Sequence, residues 1–163
     1  PTAEGALQLA MQELATTVFG SRTLIIGYGR VAKATAALFK AAGSDVTCTA
    51  RKLSALAEAE NSGFKAFHLN ELFGHIGRYD LIINTAPSMI LDEAMLNAVS
   101  KDTIIIDLAS KPGGVDFEAA ARLNKRAIQA LSLPGKVAPI PAGEIIAQTV
   151  KNIINERGVK NVT

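Results

Sequence analysis

The stretch Thr23-Leu-Ile-Ile-Gly-Tyr-Gly-Arg-Val-Ala32 joins a short apolar run to the pattern Gly27-x-Gly29-x-x-Ala32, and a helix-forming segment follows over Val31–Ala42. A strand that turns directly into a helix aims free backbone N–H groups and the positive end of the helix dipole at one point in space. In such a turn Gly27 allows the tight bend, Gly29 the close approach of phosphates, and Ala32 the packing of helix on strand. The stretch therefore predicts a pyrophosphate site.

The bulk properties of the chain describe one globular domain. A length of 163 residues corresponds to about one domain, and a hydrophobic fraction of 48% is ample for a single core. The formal net charge of +2 is spread along the chain without a Lys/Arg run, so binding to nucleic acid or a membrane surface has no electrostatic support. No apolar run approaches the ~20 residues that span a bilayer, and no signal-peptide pattern opens the chain.

Cysteine usage and the first residue bear on the setting of the domain. Cys48 is the only cysteine, which excludes an internal disulfide and a cysteine-based metal site and fits a reducing cytoplasm. No metal-ligand cluster stands out, so we expect no metal. Because the chain begins with Pro1 rather than Met, we expect a piece of a longer protein whose catalytic partner domain is absent from this chain.

Six short strands are predicted to alternate with helices. Leu7, Met11, Leu14 and Val18 predict an amphipathic helix over Glu4–Phe19, so residues 1–20 are expected to form a leading or connecting helix and residues 21–163 the cofactor-binding domain. The predicted strands are Arg22–Ile26, Asp45–Thr49, Lys65–Phe67, Asp80–Thr85, Thr103–Leu108 and Ala127–Ser132.

The central strands are continuous Ile/Leu runs rather than alternating ones, which is typical of strands buried on both faces. We therefore expect an α/β fold with a doubly wound parallel sheet, and the glycine turn on the first strand indicates the Rossmann order 3-2-1-4-5-6. Ser54, Asn70 and Asp116 are predicted helix N-caps. The segment Leu133–Gly143 holds three prolines and two glycines and is expected to be an ordered loop, followed by a helix over Gly143–Asn155 with an apolar core stripe.

Ligands of such sheets bind at the carboxyl ends of the strands, beside the point where the strand order reverses. We therefore expect the loops at this edge to hold the cofactor and the substrate. The substrate-contacting candidates are Ser88, Ser110 and Lys111. The predicted cofactor-binding residues are Gly27, Tyr28, Gly29, Arg30, Val31, Arg51, Lys52, Thr85, Ala86, Pro87, Leu133, Pro134 and Gly135.

The end of the second strand discriminates between NAD and NADP. An NAD-specific site usually has Asp or Glu about 20 residues past the glycines, and its carboxylate accepts a hydrogen bond from the ribose 2′-OH. No carboxylate lies between Val46 and Leu53, whereas Arg51 and Lys52 suit a 2′-phosphate. Solvated surface cations are the alternative explanation, but cations just before a helix N-terminus are disfavoured by ~0.3–1 kcal/mol, which suggests a compensating anion. We therefore expect NADP, with NAD possible.

Candidates for proton transfer are few. Lys111 and His68 are the two residues considered, although a solvent-facing loop lysine and a surface histidine are the commoner explanations. His75 is expected to be inert, Cys48 to be a core residue, and Asp107 to shape a turn rather than react. The chain lacks the Tyr-x-x-x-Lys pair of short-chain dehydrogenases and a Walker A lysine, and the missing acid after strand two also disfavours a methyltransferase.

Several strings together resemble the A-chain family of dipicolinate synthases, and more distantly 2-hydroxyacid dehydrogenases and adenosylhomocysteinase. They are Pro1–Gly5, Ile26–Arg30, Ile83–Leu91, Ile106–Phe117 and Leu133–Pro139. The resemblance covers essentially the whole chain. The chain departs from the family pattern at Ile140-Pro141, where a Lys-Thr-like pair is expected.

The resemblance implies a function. A dihydrodipicolinate-type intermediate would be oxidised to pyridine-2,6-dicarboxylate with NAD(P)+ as hydride acceptor, in the cytoplasm of the mother cell of a spore-forming bacterium and alongside a B chain. It also implies an N-terminal domain before this segment, with the active site in the cleft between the two, so the isolated domain is expected to be inactive. We expect a homo-oligomer.

Two other functions remain open from the residues. One is an NAD(P)-sensing regulatory domain without catalysis, because no strong acid–base pair is present. The other is half of a 2-hydroxyacid-dehydrogenase-like enzyme, which would need an Arg, Glu and His trio around its cleft. His68 and His75 fall outside the last third of the chain, where that family places its histidine.

Overall fold

A computed structural model describes residues 1–156. Its six strands form one sheet in the order β3-β2-β1-β4-β5-β6, and every neighbouring pair is parallel. The predicted doubly wound Rossmann order is confirmed. The strands are β1 (Arg22–Ile26), β2 (Asp45–Ala50), β3 (Lys65–His68), β4 (Leu81–Asn84), β5 (Ile104–Asp107) and β6 (Arg126–Gln129).

Helices connect the strands. They are α1 (Thr2–Glu13), α2 (Arg30–Ala41), α3 (Leu53–Asn61), α4 (Leu72–His75), α5 (Glu93–Ala98), α6 (Phe117–Arg122), α7 (Leu133–Val137) and α8 (Pro139–Glu156), and single 3-10 turns at Leu69–Glu71 and Ile76–Arg78 flank α4. Within residues 1–156, no helix is long and apolar enough to span a bilayer.

The central strands bury side chains on both faces of the sheet. Ile25 and Ile83 belong to one apolar cluster with Phe39 of α2, whereas Leu24 and Ile82 belong to the other. All five side chains are fully buried. Successive residues of a strand point to opposite faces, so a continuous Leu/Ile run supplies both layers at once.

The leading helix is shorter than predicted. It ends at Glu13 instead of Phe19, and Leu14 already has extended backbone. The β-branched residues Thr16, Thr17 and Val18 follow, and their restricted side chains lower helix propensity. The fully buried residues of α1 are small ones, Gly5, Ala6 and Ala10. Of the predicted stripe within α1, Leu7 packs half-buried against the core and Met11 is exposed.

Two of the predicted helix caps are wrong. The backbone cap of α3 is Lys52 rather than Ser54, and its side chain makes no capping bond. The turn before α4 is capped by His68 rather than Asn70. The Asp116 cap of α6 is confirmed, since its carboxylate accepts from the Ala119 N–H.

The segment predicted as a loop over Leu133–Gly143 is instead helical. Pro134 lies in the first turn of α7, and Pro139 and Pro141 lie in the first turn of α8. A proline is tolerated there because the first N–H groups of a helix have no intrahelical acceptor. The prolines that predicted a loop therefore lie where two helices begin.

The apolar stripe of the last helix does not join the core. No residue of α8 is buried, and Ile140, Ile145, Ile146 and Val150 are among its exposed side chains. The 3.6-residue periodicity that predicted an amphipathic helix is correct, but the expected burial is wrong in this chain.

An ion pair joins β1 to the residue before β4 at the amino edge of the sheet. The Arg22 guanidinium donates to the Asp80 carboxylate at 2.6 and 3.1 Å, and the Arg22 backbone N–H donates to it at 2.8 Å. The hydrogen bonds from Arg22 hold the pKa of Asp80 below its ordinary value.

Candidate functional site

The glycine turn after β1 is built as the sequence predicts. Gly27 has φ +98°, and a Cβ placed on it would lie 2.5 Å from Thr85 Oγ1. Its N–H donates to the Thr49 carbonyl at 2.8 Å, and Thr85 donates from both its N–H and its hydroxyl to the Ile26 carbonyl. Gly27 therefore closes β1 against β2 and β4 at a point where no side chain fits.

The N-terminus of α2 opens onto free space. Gly29 is the N-cap, and a Cβ added to it would meet no atom within 4 Å. The helix that it starts has twelve residues and buries Ala32 against the sheet. The turn therefore leaves room for a ligand beside the start of α2, where the first N–H groups and the helix dipole favour an anion.

A cavity of about 220 Å³ lies at the carboxyl ends of β1 and β2. Gly27 and Ala86 line one side, Leu69 and Ile90 supply apolar walls, and the exposed Arg51 is at its lip together with Lys52. This combination of apolar walls and cations matches an adenosine group that carries a phosphate.

A second cleft, of about 350 Å³, lies on the other side of the glycine turn. Gly27, Gly29, Arg30 and Val31 line it from the turn and the start of α2. The segment Thr85–Pro87 lines it from the end of β4. The two cavities share Gly27 and Ala86, so together they follow the carboxyl edge of the sheet past the N-terminus of α2.

A buried polar pair joins the loops after β4 and β5. The Asn84 amide donates to Asp107 Oδ1 at 2.7 Å, and both residues are fully buried. The same carboxylate accepts from the Ala109 N–H at 3.0 Å and from the Gly114 N–H at 3.1 Å. Asn84 in turn bonds both backbone polar groups of Ala86. The expectation that Asp107 shapes a turn agrees with this geometry.

Gly114 is where these two loops come closest. A Cβ on it would overlap Asn84 Nδ2 and would lie 2.9 Å from the Ser88 carbonyl oxygen. Its own carbonyl accepts from the N–H groups of Ile90 and Leu91. The sequence indicated a fixed turn here but not the pairing with Asn84; the available signal was a polar residue closing each of two otherwise apolar strands.

Comparison with known proteins assigns the domain. Residues 3–133 match the family model described as D-isomer specific 2-hydroxyacid dehydrogenase, NAD binding domain. The chain belongs to this family. It is 40% identical to the A chain of dipicolinate synthase from Bacillus subtilis (strain 168) over 156 residues, which are 96% of this chain and 52% of the relative.

Solved structures agree. The A chain of Bacillus subtilis dipicolinate synthase superposes with a TM-score of 0.93 at 39% identity, covering 99% of this chain and 54% of that one. The A chain of the Bacillus halodurans dipicolinate synthase gives 0.91 at 36% identity, covering 94% and 53%. The chain thus spans about half the length of these relatives, and its similarity to dipicolinate synthase A chains is confirmed.

The other predicted cofactor contacts of this NAD-binding domain differ in position and exposure. Tyr28 lines the cavity of about 220 Å³, although most of its side chain is buried and its ring is edge-on to Phe64 at 6.3 Å. The Leu133 side chain is buried against Gly5 of α1, whereas Gly135 is exposed and Pro134 half-buried in α7. Contact between the cofactor and these residues stays a prediction.

The substrate-contacting candidates lie on the loops that the Asn84–Asp107 pair joins. Ser88 is half-buried, and Ser110 and Lys111 are exposed. The Gly113 N–H donates to the Ser110 carbonyl at 2.9 Å and closes a turn around Lys111. Their role in this NAD-binding domain stays a prediction.

The remaining candidates have structural partners. Cys48 is fully buried in β2, and burial raises the pKa of its thiol to about 12. The His75 ring stacks on Phe67 at 4.6 Å. His68 bonds the backbone of Arg51 and Asn70 through its two ring nitrogens. Among residues 1–156, no three His, Cys, Asp or Glu side chains gather as a metal site would require.

Proposed function

We propose that this chain is the NADP-preferring cofactor domain of an oxidoreductase that converts a dihydrodipicolinate-type intermediate to pyridine-2,6-dicarboxylate. Its 40% identity to the A chain of a dipicolinate synthase supports the reaction. The observation that carries the cofactor choice is the pair of exposed cations, Arg51 and Lys52, at the lip of the adenosine-sized cavity. The sequence holds no carboxylate between Val46 and Leu53, where an acceptor for a ribose 2′-OH is expected.

The residues present fit a dinucleotide. Gly29 and the first turn of α2 would receive the pyrophosphate, because they line the second cleft and the first N–H groups of a helix favour an anion. Arg51 and Lys52 would hold the 2′-phosphate, and Thr85–Pro87 would flank the nicotinamide half of the cofactor. When bound, the oxidised nicotinamide ring supplies a hydride acceptor.

The substrate side requires cations, because a dicarboxylate carries two negative charges. Lys111 sits on the loop after β5 and Lys136 on α7, and both side chains are exposed. Ser88 and Ser110 would add hydrogen-bond donors. The reaction removes one hydride and one proton from the ring, and aromatisation drives it, so the protein must chiefly position the C–H bond and exclude water.

The assembly and location are part of the same proposal. The relatives are nearly twice as long as this chain. We propose that the complete protein forms a homo-oligomer and works with a B chain of dipicolinate synthase in the mother-cell cytoplasm of a spore-forming bacterium.

The cofactor assignment is tested by titrating NADPH and NADH against the protein and its Arg51→Ala variant. The variant should weaken NADPH binding about tenfold or more, since it loses a charge-assisted hydrogen bond, and should change NADH binding less than about twofold. Arg122→Ala is the matched control, because within residues 1–156 Arg122 forms a surface ion pair with Glu93 and lines neither cavity. An unchanged NADPH-to-NADH affinity ratio in Arg51→Ala would contradict the NADP preference.

The reaction is tested on the complete protein together with its B chain. Dihydrodipicolinate should yield pyridine-2,6-dicarboxylate and one equivalent of reduced cofactor. Cofactor binding without any product would favour the sensing alternative.

A further inference from the structure

His68 lies at the cofactor edge of the sheet without lining either cavity. It is the last residue of β3 and pairs in register with Ala50, the last residue of β2. The next residue after Ala50 is Arg51, which lines the adenosine-sized cavity. The histidine is therefore a direct neighbour of the loop that carries the two cations.

The hydrogen bonds of His68 define its tautomer. The Asn70 backbone N–H donates to His68 Nδ1 at 3.3 Å, and a backbone N–H can only donate. The ring proton of neutral His68 must then be on Nε2, which lies 2.9 Å from the Arg51 carbonyl oxygen and donates to it. The backbone N–H of His68 donates to Glu71 Oε1 at 3.2 Å, which completes a capping box.

Both ring nitrogens are thus engaged with backbone groups. Neither is free to exchange a proton with a substrate, so the geometry argues against the catalytic role considered for His68. One nitrogen caps the turn at Leu69–Glu71, and the other holds the Arg51 peptide.

The Arg51 loop has few other anchors. The turn from β2 to α3 consists of Arg51 and Lys52, both exposed, and Lys52 caps α3 through its backbone alone. Within residues 1–156, the bond from His68 is the hydrogen bond that the Arg51 carbonyl accepts. Fixing a peptide in advance lowers the conformational entropy that ligand binding must overcome.

We propose that His68 is a positioning residue for cofactor selectivity: it holds the Arg51 backbone so that the guanidinium faces the 2′-phosphate of NADP. This inference rests on the proposed function, because it assumes that Arg51 binds that phosphate. His68 itself touches neither the cofactor nor the substrate.

Two substitutions at His68 distinguish the hydrogen bond of Nε2 from that of Nδ1. His68→Asn keeps an acceptor at the position of Nδ1 and caps the turn well, but it is too short to reach the Arg51 carbonyl. His68→Gln places an amide N–H at the same number of bonds from Cβ as Nε2 and restores that reach. His75→Asn is the control for loss of an imidazole ring, because His75 of α4 stacks on Phe67 of β3 and bonds Arg78 rather than the Arg51 loop.

NADPH and NADH affinities are measured for each variant of the complete protein. His68→Asn should weaken NADPH binding about fivefold, the effect of one hydrogen bond, and NADH binding less than about twofold. His68→Gln should restore the NADPH-to-NADH affinity ratio to within about twofold, and His75→Asn should leave it unchanged.

The outcomes separate this inference from the proposed function. If Arg51→Ala lowers the affinity ratio and His68→Asn does not, the role of His68 is overturned and the NADP preference stands. An equal loss of both cofactors in His68→Asn also overturns it, since that indicates general loosening. If Arg51→Ala leaves the ratio unchanged, the NADP assignment itself fails.

A measurement without any variant tests the same bond. At a pH where the ring is neutral, the nitrogen chemical shifts of His68 in the folded protein should report the proton on Nε2. A proton on Nδ1 instead would mean that the ring does not donate to Arg51, and the proposal would be overturned.

Discussion

At the scale of single residues, Gly27 and Gly29 have different roles in the same turn. Gly27 is required by its backbone, because φ is +98° and Thr85 Oγ1 occupies the place of a side chain. Gly29 has φ −87° and nothing within 4 Å of an added Cβ. The first glycine therefore serves the fold, and the second leaves room for a ligand.

This difference predicts a dissociation between stability and binding. Gly27→Ala should lower the free energy of unfolding by ~1–3 kcal/mol through backbone strain and the Thr85 contact. Gly29→Ala should change the free energy of unfolding by less than ~1 kcal/mol, because the loss from a poorer N-cap is offset by the lower entropy of the unfolded chain. The same substitution should weaken NADPH binding. Urea unfolding and cofactor titration measure the two effects.

Equal destabilisation by the two glycine substitutions would contradict this distinction. So would normal NADPH binding by Gly29→Ala, since the added methyl group would then lie outside the phosphate position.

At the scale of elements, the loops after β4 and β5 behave as one unit because Asn84 and Asp107 join them. The Asp107 carboxylate is fully buried and is satisfied by three N–H donors. Buried polar groups are costly unless every one is paired, so this arrangement holds the chain path that carries Ser110 and Lys111.

Asp107→Asn should therefore lower the free energy of unfolding by ~1–3 kcal/mol. The new NH2 group replaces a carboxylate oxygen that accepts from an N–H group, so that N–H group loses its acceptor. Asn84→Asp combined with Asp107→Asn exchanges donor and acceptor and should recover part of the loss. Urea unfolding of the single and double variants measures this coupling.

Asp116→Asn is the matched control for that experiment. Asp116 is an N-cap whose carboxylate accepts from one backbone N–H, and asparagine caps equally well, so the change should stay within ~0.5 kcal/mol. If Asp107→Asn were as stable as this control, the buried pair would not organise the loops.

Helix starts show a limit of composition as a guide to elements. Pro134, Pro139 and Pro141 predicted a loop, although all three lie in first turns of helices. A proline breaks a helix only where its missing N–H would be needed, and that depends on where the helix begins. Position within the element, rather than residue content, decides the outcome.

At the scale of the whole molecule, the Arg22–Asp80 pair links β1 to the residue before β4 at the amino edge of the sheet. The folded pKa of Asp80 is below its unfolded value. Its contribution to stability is therefore fully present above the unfolded pKa near ~3.9 and is lost as the pH falls through the folded pKa.

Asp80→Asn should consequently destabilise the protein at about pH 7 but progressively less below about pH 4. The side chain is 37% exposed, so the loss at neutral pH should not exceed about 1 kcal/mol. Arg22→Gln and the double variant complete a double-mutant cycle, measured by urea unfolding at several pH values. A coupling free energy that is independent of pH would contradict the ionic origin.

The apolar face of α8 is also a property of the whole molecule. Its periodicity identifies a helix correctly, yet Ile145, Ile146 and Val150 are all exposed. Amphipathic spacing shows that side chains share one face of a helix. It does not show what, if anything, covers that face.

The sequence alone determined the strand order, the glycine turn and the first strand. These depend on short-range requirements: a residue that tolerates positive φ at Gly27, a free N-terminus on α2, and apolar runs such as Leu81–Ile83 that can fill both layers of a sheet. The list of loops around the site follows from the same topology, because parallel strands all end at one edge.

Only the tertiary structure decided which side chains meet there. Asn84 and Asp107 are 23 positions apart, and His68 is 17 positions from Arg51. Residues this far apart meet only when the strands that carry them pair in register, and hydrogen bonds form only within a few tenths of an ångström of the required distance. For the same reason His68, a catalytic candidate by residue type, became a positioning residue by geometry.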